Sequence, residues 1–312
     1  MSDGSVISAA KPGVDDAATG SSSPAETLQI RVVGDASLPT LIYLPGVHGD
    51  WTLVGSFRAA LAGRVRWVEF TYPRTLDWSL ADYAAAVENA LRANGILSGW
   101  LLGESFGSQV AWALIERSLA TSSPQPSSEP ATVSGTIPSS LKMEWMGVIL
   151  AGGFVRHPTI WAVRLLGLLW NATPLPCLVL FLRFYIHFAK FRHRHAPETL
   201  AHLDEFVRRR TARDRQAVGH RFALIAANDP RPIAEHLAIP LYYLSGWLDP
   251  VVPWPLVRAY LRRHCPSCRD HQVLWPADHN VLSTAPRPAA RLVLSWIDSS
   301  RQREPGNPGC PS

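Results

Sequence analysis

The residues best suited to chemistry in this sequence form a short pattern around one serine. Residues 103–107 read G-E-S-F-G; they follow the apolar run 100–102 and precede the helix-compatible run 108–117. A G-x-S-x-G pattern between a strand and a helix is typical of a sharp, strained turn that exposes the serine hydroxyl. Such a turn needs glycine on either side, because glycine has no Cβ to collide with the neighbouring backbone. We interpret Glu104 as filling the variable position of the pattern, and we predict that Ser105 is a nucleophile.

A serine hydroxyl is a weak nucleophile unless a general base lies within hydrogen-bond reach and a third group orients that base. Two loops downstream of the serine supply candidates for these roles. The apolar run 239–244 leads to Asp249, and the run 271–275 leads to His279. The order serine, acid, histidine is the one that accompanies a G-x-S-x-G turn. Asp278 is next to His279, but adjacent residues rarely face each other, so Asp249 is the preferred acid.

With these motifs, the sequence resembles the α/β-hydrolase family over about residues 28–297. The resemblance implies a catalytic triad of Ser105, His279 and Asp249, with an acyl-enzyme on the serine. It also implies that the backbone N–H of Phe106, the residue after the nucleophile, is one donor of an oxyanion hole. A serine rather than an aspartate at this turn argues against the dehalogenase and epoxide-hydrolase branches of the family. A triad of this kind needs no metal ion and no organic cofactor.

The loop after an early strand is predicted to provide the second oxyanion-hole donor. The apolar run 41–44 leads into residues 45–51, P-G-V-H-G-D-W. In the family that the chain resembles, this loop directs a backbone N–H toward the substrate carbonyl. One register of the loop makes Val47 the donor, and a rival register, based on the His-Gly pair, makes it Asp50. We prefer Val47, because a carboxylate side chain beside a developing oxyanion would oppose its charge.

Apolar runs and segments of helical period alternate along most of the chain, which predicts an α/β fold with a mostly parallel sheet and helices on both faces. We predict a core of residues 26–153 and 231–298. Residues 121–140, rich in serine and proline, are expected to be a flexible surface insertion in that core. The segment 154–230 breaks the alternation and lies between two core strands, where α/β-hydrolases carry a cap over the active site. Its predicted helices are 159–170, 177–191, 198–210 and 212–228.

The predicted cap is rich in apolar residues. Residues 165–182 contain no charged residue. Asn171, Pro174 and Pro176 interrupt this stretch, which argues against a membrane span. We predict apolar helices that close over a pocket and pack on the core; contact of the cap with a membrane surface is the alternative. The arginine-rich run 208–215 is interpreted as a solvated helix face.

Both ends of the chain are predicted to be disordered tails. Residues 1–25 are rich in serine, glycine, alanine and aspartate, and residues 299–312 contain several prolines and glycines. Such compositions do not bury enough apolar surface to fold. The first segment also lacks the basic start and apolar centre of a signal peptide, which favours a cytoplasmic location.

The composition is that of a globular protein with a sizeable core, because 47% of the 312 residues are hydrophobic and 18% are charged. The formal net charge of +5 comes from local arginine-rich runs. No nucleic-acid-binding motif accompanies these runs, so nucleic acid is not an expected partner. Cys265 and Cys268 form a C-x-x-C pair without a second pair, so two surface thiols are favoured over a redox or zinc site.

Together these patterns predict a serine hydrolase that cleaves a carboxylic ester or a thioester with an apolar acyl or alcohol group. In the thioester version, the basic residues of the cap would meet an acidic acyl-carrier protein. Two alternatives stay open. One is an acyltransferase that uses the same triad, and the other is a non-enzymatic protein that binds a small molecule in the same fold.

Overall fold

The computed structural model describes residues 27–120, 142–174 and 211–302, the backbone of Val6–Ala9, and three separate residues, Pro176, Cys177 and Leu180. The predicted insertion at 121–140 lies outside the described residues. So do residues 303–312 and nearly all of the predicted helices 177–191 and 198–210.

Eight strands form one sheet in the order β1-β2-β4-β3-β5-β6-β7-β8. Their bounds are β1 (Val6–Ala9), β2 (Leu28–Val33), β3 (Thr40–Leu44), β4 (Arg66–Thr71), β5 (Ser98–Glu104), β6 (Glu144–Ala151), β7 (Leu241–Gly246) and β8 (Cys268–Leu274). All neighbouring pairs from β4 to β8 are parallel, whereas β1 and β2 add antiparallel pairs at one edge. This mostly parallel sheet confirms the predicted fold class.

The described helices cover both faces of the sheet. Their bounds are α1 (Gly55–Leu61), α2 (Leu80–Ala93), α3 (Gly107–Ala120), α4 (Ile160–Ala172), α5 (Ala212–Ala227), α6 (Arg231–Glu235), α7 (Trp254–His264), α8 (Val281–Thr284) and α9 (Pro286–Gln302). Helices α2 and α3 contribute to one buried apolar cluster, and α1 and α9 contribute to a second cluster. The sheet therefore lies between two apolar layers, as the alternation of strands and helices predicts.

Helix α2 illustrates how the local sequence specifies these elements. The Ser79 side chain accepts a hydrogen bond from the backbone N–H of Asp82 (3.2 Å), and the Asp82 carboxylate accepts one from the N–H of Ser79 (2.9 Å). This reciprocal pair is a capping box, which satisfies backbone donors at the start of a helix. The buried residues Tyr83, Val87 and Leu91 follow at helical spacing. The helix therefore packs on the sheet by one face, and each such large side chain contributes about 1.5–3 kcal/mol on burial.

The two ends of the chain differ in part from the predicted tails. Val6–Ala9 forms the edge strand β1 and pairs antiparallel with β2, within the segment for which we expected disorder. An edge strand is held by backbone hydrogen bonds, so it does not need a long apolar sequence. Helix α9 continues to Gln302, beyond the expected end of the core at residue 298. Its last turn is polar, so the spacing of apolar residues alone does not predict that the helix extends to Gln302.

Helices α4 and α5 belong to the predicted cap and lie close to their predicted bounds. They pack against each other. The indole Nε1 of Trp170 donates to the carbonyl of Arg215 (3.0 Å), and Arg215 Nη1 donates to the carbonyl of Thr173 (2.6 Å). A Cβ placed on Gly167 of α4 would lie 3.3 Å from the Cβ of Phe222 of α5, so the two helices approach closely at this glycine. Among the described helices, none combines the length and the apolar character that a membrane span requires.

The C-x-x-C pair lies at the end of α7. Cys265 is buried, contrary to the expectation of two surface thiols, and Cys268 is half-buried. The prediction was wrong for Cys265 because the end of α7 turns into the core cluster rather than toward solvent. Burial raises the pKa of the Cys265 thiol to about 12 and that of Cys268 to about 11. Both thiols are therefore protonated and unreactive near neutral pH.

Candidate active site

The predicted serine turn is present at the junction of β5 and α3. Ser105 has a φ of 50°, the one positive φ of a non-glycine residue in the described parts of the chain. Such a conformation is strained for a residue with a side chain and is often found at catalytic positions. The flanking glycines are required by close contacts. A Cβ at Gly103 would lie 2.7 Å from the Cα of Ser108, and one at Gly107 would collide with the carbonyl oxygen of Leu44.

The structure brings the three predicted side chains together. The Ser105 hydroxyl lies 3.0 Å from His279 Nε2, and His279 Nδ1 lies 2.9 Å from Asp249 Oδ2. The Asp249 side chain is fully buried, and its Oδ1 accepts the backbone N–H groups of Val251 (2.8 Å) and Val252 (2.9 Å). A carboxylate accepts hydrogen bonds only, so Nδ1 of the neutral imidazole carries the proton. Nε2 is then free to accept the proton of the serine hydroxyl.

The surroundings of His279 make it a stronger base than an isolated histidine. Burial by itself lowers the pKa of a histidine, because it disfavours the cation. At His279 the hydrogen bond and the charge of Asp249, together with the charges of Glu104 and Asp278, outweigh burial and raise the pKa above its ordinary value. The same negative charges favour the imidazolium form of His279.

The loop predicted to hold an oxyanion donor lies directly beside the serine. A Cβ placed on Gly46 would lie 3.5 Å from the Cβ of Ser105, so Gly46, the residue before Val47, adjoins the nucleophile. The carbonyl of Gly46 accepts the N–H of Gly49 (2.9 Å), which closes the loop into a turn. Asp50 follows this turn, and its Oδ1 accepts the backbone N–H of Thr52 (3.0 Å). Both candidate donors line the same cavity as Ser105.

Phe106, the other predicted donor, directly precedes helix α3. The first N–H groups of a helix have no carbonyl partner within the helix. The N-terminal end also carries a partial positive charge from the aligned peptide dipoles, which favours a nearby anion. The Phe106 ring is buried against Tyr72 and Tyr83, with ring centroids 6.1 and 5.5 Å away. The position of its backbone is thus fixed by the core.

A cavity of about 500 Å³ opens over the serine and the histidine. One side carries polar groups, which include Asp50, Glu104, Asp278 and Asn280. The other side is apolar and is formed by α4, α5 and the loop of Asp249; the residues are Leu166, Trp170, Val218, Phe222, Leu248 and Val251. The described parts of the chain contain no group of three or more histidine, cysteine or acidic side chains that could hold a metal ion.

Glu104 has a partner that the sequence did not suggest. Its carboxylate accepts a short hydrogen bond from the hydroxyl of Tyr43, on strand β3. Burial raises the pKa of Glu104, and the bond from Tyr43 and the charge of His279 limit that rise. Burial and the adjacent Glu104 also keep the pKa of Tyr43 well above its ordinary value, so the phenol remains a donor. The only local signal for this pair is the position of Glu104 next to the serine.

His157, which sequence reasoning also missed, supports the loop of the acid. The residue is buried, and its Nδ1 accepts the backbone N–H of Thr159 (3.2 Å). Burial lowers its pKa to about 4, although hydrogen bonds with the backbone of Val251 and Thr159 act in the opposite direction. A neutral histidine thus packs between the segment before α4 and the loop that carries Asp249.

Comparison with solved structures identifies several proteins of similar fold. A hydrolase from Pseudomonas aeruginosa PA01 is 16% identical with a TM-score of 0.64, over 87% of this chain and 94% of that one. A thermophilic esterase from Thermogutta terrifontis is 16% identical with a TM-score of 0.61, over 90% and 96% of the two chains. The enol-lactonase from Burkholderia xenovorans LB400 is also 16% identical with a TM-score of 0.61, over 89% and 97%.

No protein-family model matches this chain, and neither does the sequence of any curated protein. The similarity to the solved structures nevertheless spans most of each chain. The resemblance predicted from the serine, acid and histidine motifs is therefore confirmed at the level of architecture: this chain has the α/β-hydrolase fold.

Proposed function

We propose that this protein is a serine hydrolase that cleaves carboxylic esters or thioesters. The observation that carries the proposal is the unbroken series of hydrogen bonds from Ser105 through His279 to Asp249, at the base of a cavity large enough for a small ester. A nucleophile, a base and a group that orients the base are the parts required for acyl transfer to serine. Esterases and a lactonase among the proteins of similar fold support the same class of substrate.

In the proposed reaction, the Ser105 oxygen attacks the carbonyl carbon while His279 Nε2 takes up the hydroxyl proton. The carbonyl π electrons move onto oxygen, and the N–H groups of Val47 and Phe106 stabilise the resulting oxyanion. Collapse of the intermediate breaks the bond to the alcohol or thiol, which leaves with the proton from Nε2. A water molecule then attacks the acyl-serine by the same steps, which release the acid and restore Ser105. Throughout, Asp249 remains an anion that orients and stabilises His279.

Val47 is the better supported of the two candidate donors on the first loop. Val47 directly follows Gly46, which adjoins Ser105, whereas Asp50 lies beyond the turn closed by Gly49. A carboxylate at the mouth of an oxyanion hole would also oppose the developing charge. These observations favour the register in which Pro45-Gly46 precedes the donor.

The lining of the cavity favours an uncharged ester with an apolar portion. Apolar side chains from α4 and α5 form one side, and pockets of this kind gain affinity by burying apolar surface. The polar side carries the carboxyl groups of Asp50, Glu104 and Asp278, and the described lining contains no lysine or arginine. An anionic acyl or alcohol group would be repelled by these carboxyl groups, so we expect neutral esters to be preferred over charged ones.

A fluorophosphonate probe, which reacts covalently with an activated serine, provides the first test. We expect the wild-type protein to be labelled and Ser105→Ala to be unlabelled. Ser118→Ala makes the same substitution at the other end of helix α3 and should retain full labelling. Labelling of Ser105→Ala at the wild-type rate would disprove the proposal.

A series of p-nitrophenyl esters, from acetate to decanoate, tests the substrate class. We expect kcat/KM to rise from acetate to acyl chains of intermediate length, because these fill the apolar side of the cavity. A preference for acetate over every longer chain would contradict the proposed role of α4 and α5 in binding. Probe labelling without hydrolysis of any ester or thioester would instead favour the acyltransferase or the binding protein.

A further inference from the structure

Helix α5 contributes a buried arginine to the layer beneath the candidate oxyanion loop. Arg221 is 2% exposed. Its Nη1 donates to the carbonyl of Val47 (2.8 Å), its Nη2 donates to the carbonyl of Pro73 (2.9 Å), and its Nε donates to the hydroxyl of Tyr83 (3.2 Å). All three acceptors are neutral oxygens. The guanidinium thus joins a cap helix to two loops of the core.

The packing around Arg221 is shaped to its guanidinium group. The guanidinium carbon lies 5.7 Å from the ring centroid of Tyr72 and 5.9 Å from that of Tyr83, within the range of cation–π attraction. Gly49, with a φ of 76°, passes so close that a Cβ at this position would collide with the guanidinium. The loop therefore bends around the arginine, and only glycine fits at the point of closest approach.

Among the described residues, Arg221 has no carboxylate partner. Burial of such an arginine is costly, and an apolar side chain would attach α5 to the core at lower cost. An apolar side chain cannot, however, fix the orientation of neighbouring carbonyl groups. The rigid fork of a guanidinium holds several acceptors at fixed angles and spacing. Its presence here indicates that the position of the acceptor carbonyls matters more than the strength of the attachment.

The carbonyl that Arg221 holds belongs to the residue proposed as an oxyanion donor. Two peptide planes meet at Val47. The peptide plane on the C-terminal side of Val47 is fixed by the bond from Arg221 to the Val47 carbonyl. The preceding plane contains both the Val47 N–H and the Gly46 carbonyl, which is fixed by the N–H of Gly49. Since Gly49 itself packs on the guanidinium, both planes depend on Arg221.

We propose that Arg221 is a positioning residue for the oxyanion hole. Arg221 orients the Val47 N–H by holding the loop through the Val47 carbonyl. This proposal rests on the function proposed above. A correctly aimed donor stabilises the oxyanion more than the substrate carbonyl, so the loss caused by misdirecting it falls on the transition state. Loss of Arg221 should therefore lower kcat and leave KM nearly unchanged.

The test compares Arg221→Gln with Arg213→Gln on the same helix. Arg213 is exposed and donates to the carbonyl of Arg74, next to the Pro73 carbonyl that Arg221 holds, so it is a matched control without contact to the oxyanion loop. Loss of a donor typically costs about 10²–10³-fold in rate, so we expect a loss of about 10–100-fold in kcat for Arg221→Gln. Arg213→Gln should have kcat within about 2-fold of wild type.

A trifluoromethyl ketone separates the proposed role from a purely structural one. Such a ketone adds to the serine and places an oxyanion in the hole, so its affinity should fall by the same factor as kcat/KM. The melting temperature of each variant checks the fold. If Arg221→Gln does not fold, Arg221→Lys keeps a cation beside the two tyrosine rings and should show a smaller loss of kcat. Added guanidinium ion should partly restore kcat in Arg221→Ala.

The outcomes separate the two proposals. Wild-type protein that neither reacts with the fluorophosphonate nor hydrolyses esters would overturn the proposed function itself. An active wild type with an unchanged kcat in both Arg221→Gln and Arg221→Lys would overturn only the role of Arg221. So would a fall in kcat that leaves the affinity for the ketone unaltered.

Discussion

The two described helices of the predicted cap, α4 and α5, are held in place by different kinds of contact. Helix α5 is attached to the core through polar bonds with a defined direction. Besides the bonds of Arg221, His220 Nε2 lies 2.8 Å from the carbonyl of Trp78, and Asp214 forms an ion pair with Arg74 (2.6 Å). Hydrogen bonds weaken steeply with misalignment, so they set the position of α5 relative to the loops beside the serine.

Helix α4 is mainly apolar, and within it only Val163 and Gly167 are buried. Trp161 and Leu168 are 71% and 68% exposed. In the described part of the chain, the Trp170 side chain of α4 donates a hydrogen bond to α5, at the carbonyl of Arg215. Apolar contacts have no preferred direction, so they tolerate small displacements. The contrast is therefore one of attachment: α5 holds the loop beside the serine through directed polar bonds, whereas α4 is attached mainly by apolar packing.

The largest loss of activity is expected at the candidate triad. This loss is the reference for the effects of substitutions in either helix. Asp249→Asn should lower kcat by about 10⁴-fold, because the amide favours the wrong tautomer of His279. It also removes the bond and the charge that raise the pKa of His279. The acid limb of the residual activity should therefore move to lower pH than in the wild type. A pH profile of kcat/KM measures both effects, and an acid limb that stays in place would contradict the assigned partner.

A second prediction concerns the junction between α4 and the core, where His157 is buried and neutral. Its pKa is lowered from 6.5 to about 4, so between these values the unfolded chain binds a proton that the folded protein does not. Folding stability should therefore fall as the pH drops from 6.5 to about 4, by roughly 3 kcal/mol at most from this residue. Urea unfolding at pH 7 and at pH 4.5 measures the change. His157→Gln should lose less stability over this interval than the wild type; an identical loss would exclude His157 as its source.

A matched pair of substitutions tests the difference between the helix starts. Thr211 caps α5 through a capping box with Asp214, whereas Thr159 at the start of α4 makes no side-chain cap bond. Thr211→Ala should lower the free energy of unfolding by about 1 kcal/mol. Thr159→Ala should cost less than half as much. Equal losses in urea titrations would mean that the two helices are anchored alike.

The smallest effect is expected on the exposed face of α4. Leu168→Gln should change the unfolding free energy by less than about 0.5 kcal/mol, because surface substitutions away from specific contacts rarely do more. Leu168→Gln also tests the predicted contact of the cap with a membrane surface. If that contact exists, flotation with liposomes should recover less of the variant than of the wild type. Absence of wild-type binding would rule the contact out.

The three triad candidates were predictable because each lies in the turn or loop that follows a strand. Ser105 follows β5, Asp249 follows β7 and His279 follows β8. Neighbouring parallel strands bring their carboxyl ends to the same edge of a sheet, where loops meet. Strand period and turn residues are local properties, so one sequence suffices to place these loops together.

The residues around the triad could not be predicted in this way. Arg221 contacts a carbonyl 174 positions away, and Glu104 bonds to a tyrosine 61 positions away. An arginine in a helix rich in charged residues is typical of a solvated face, and Arg213 is indeed exposed. Nothing in the local pattern distinguishes Arg221 from it. The difference arises because Arg213 lies in the first turn of α5 and stays exposed, whereas Arg221 lies farther along the helix, where the core loops and the rings of Tyr72 and Tyr83 cover it.

By itself, then, the sequence determined the alternation of strands and helices in the core, the strained serine turn and the identity of the acid and base candidates, since these depend on residues close together in the chain. The tertiary structure alone decided which groups surround them: the arginine under the oxyanion loop, the tyrosine that holds Glu104, and the neutral His157 beside the acid loop. Burial and hydrogen-bond partners exist only after distant segments pack, so these features appear only in the folded protein.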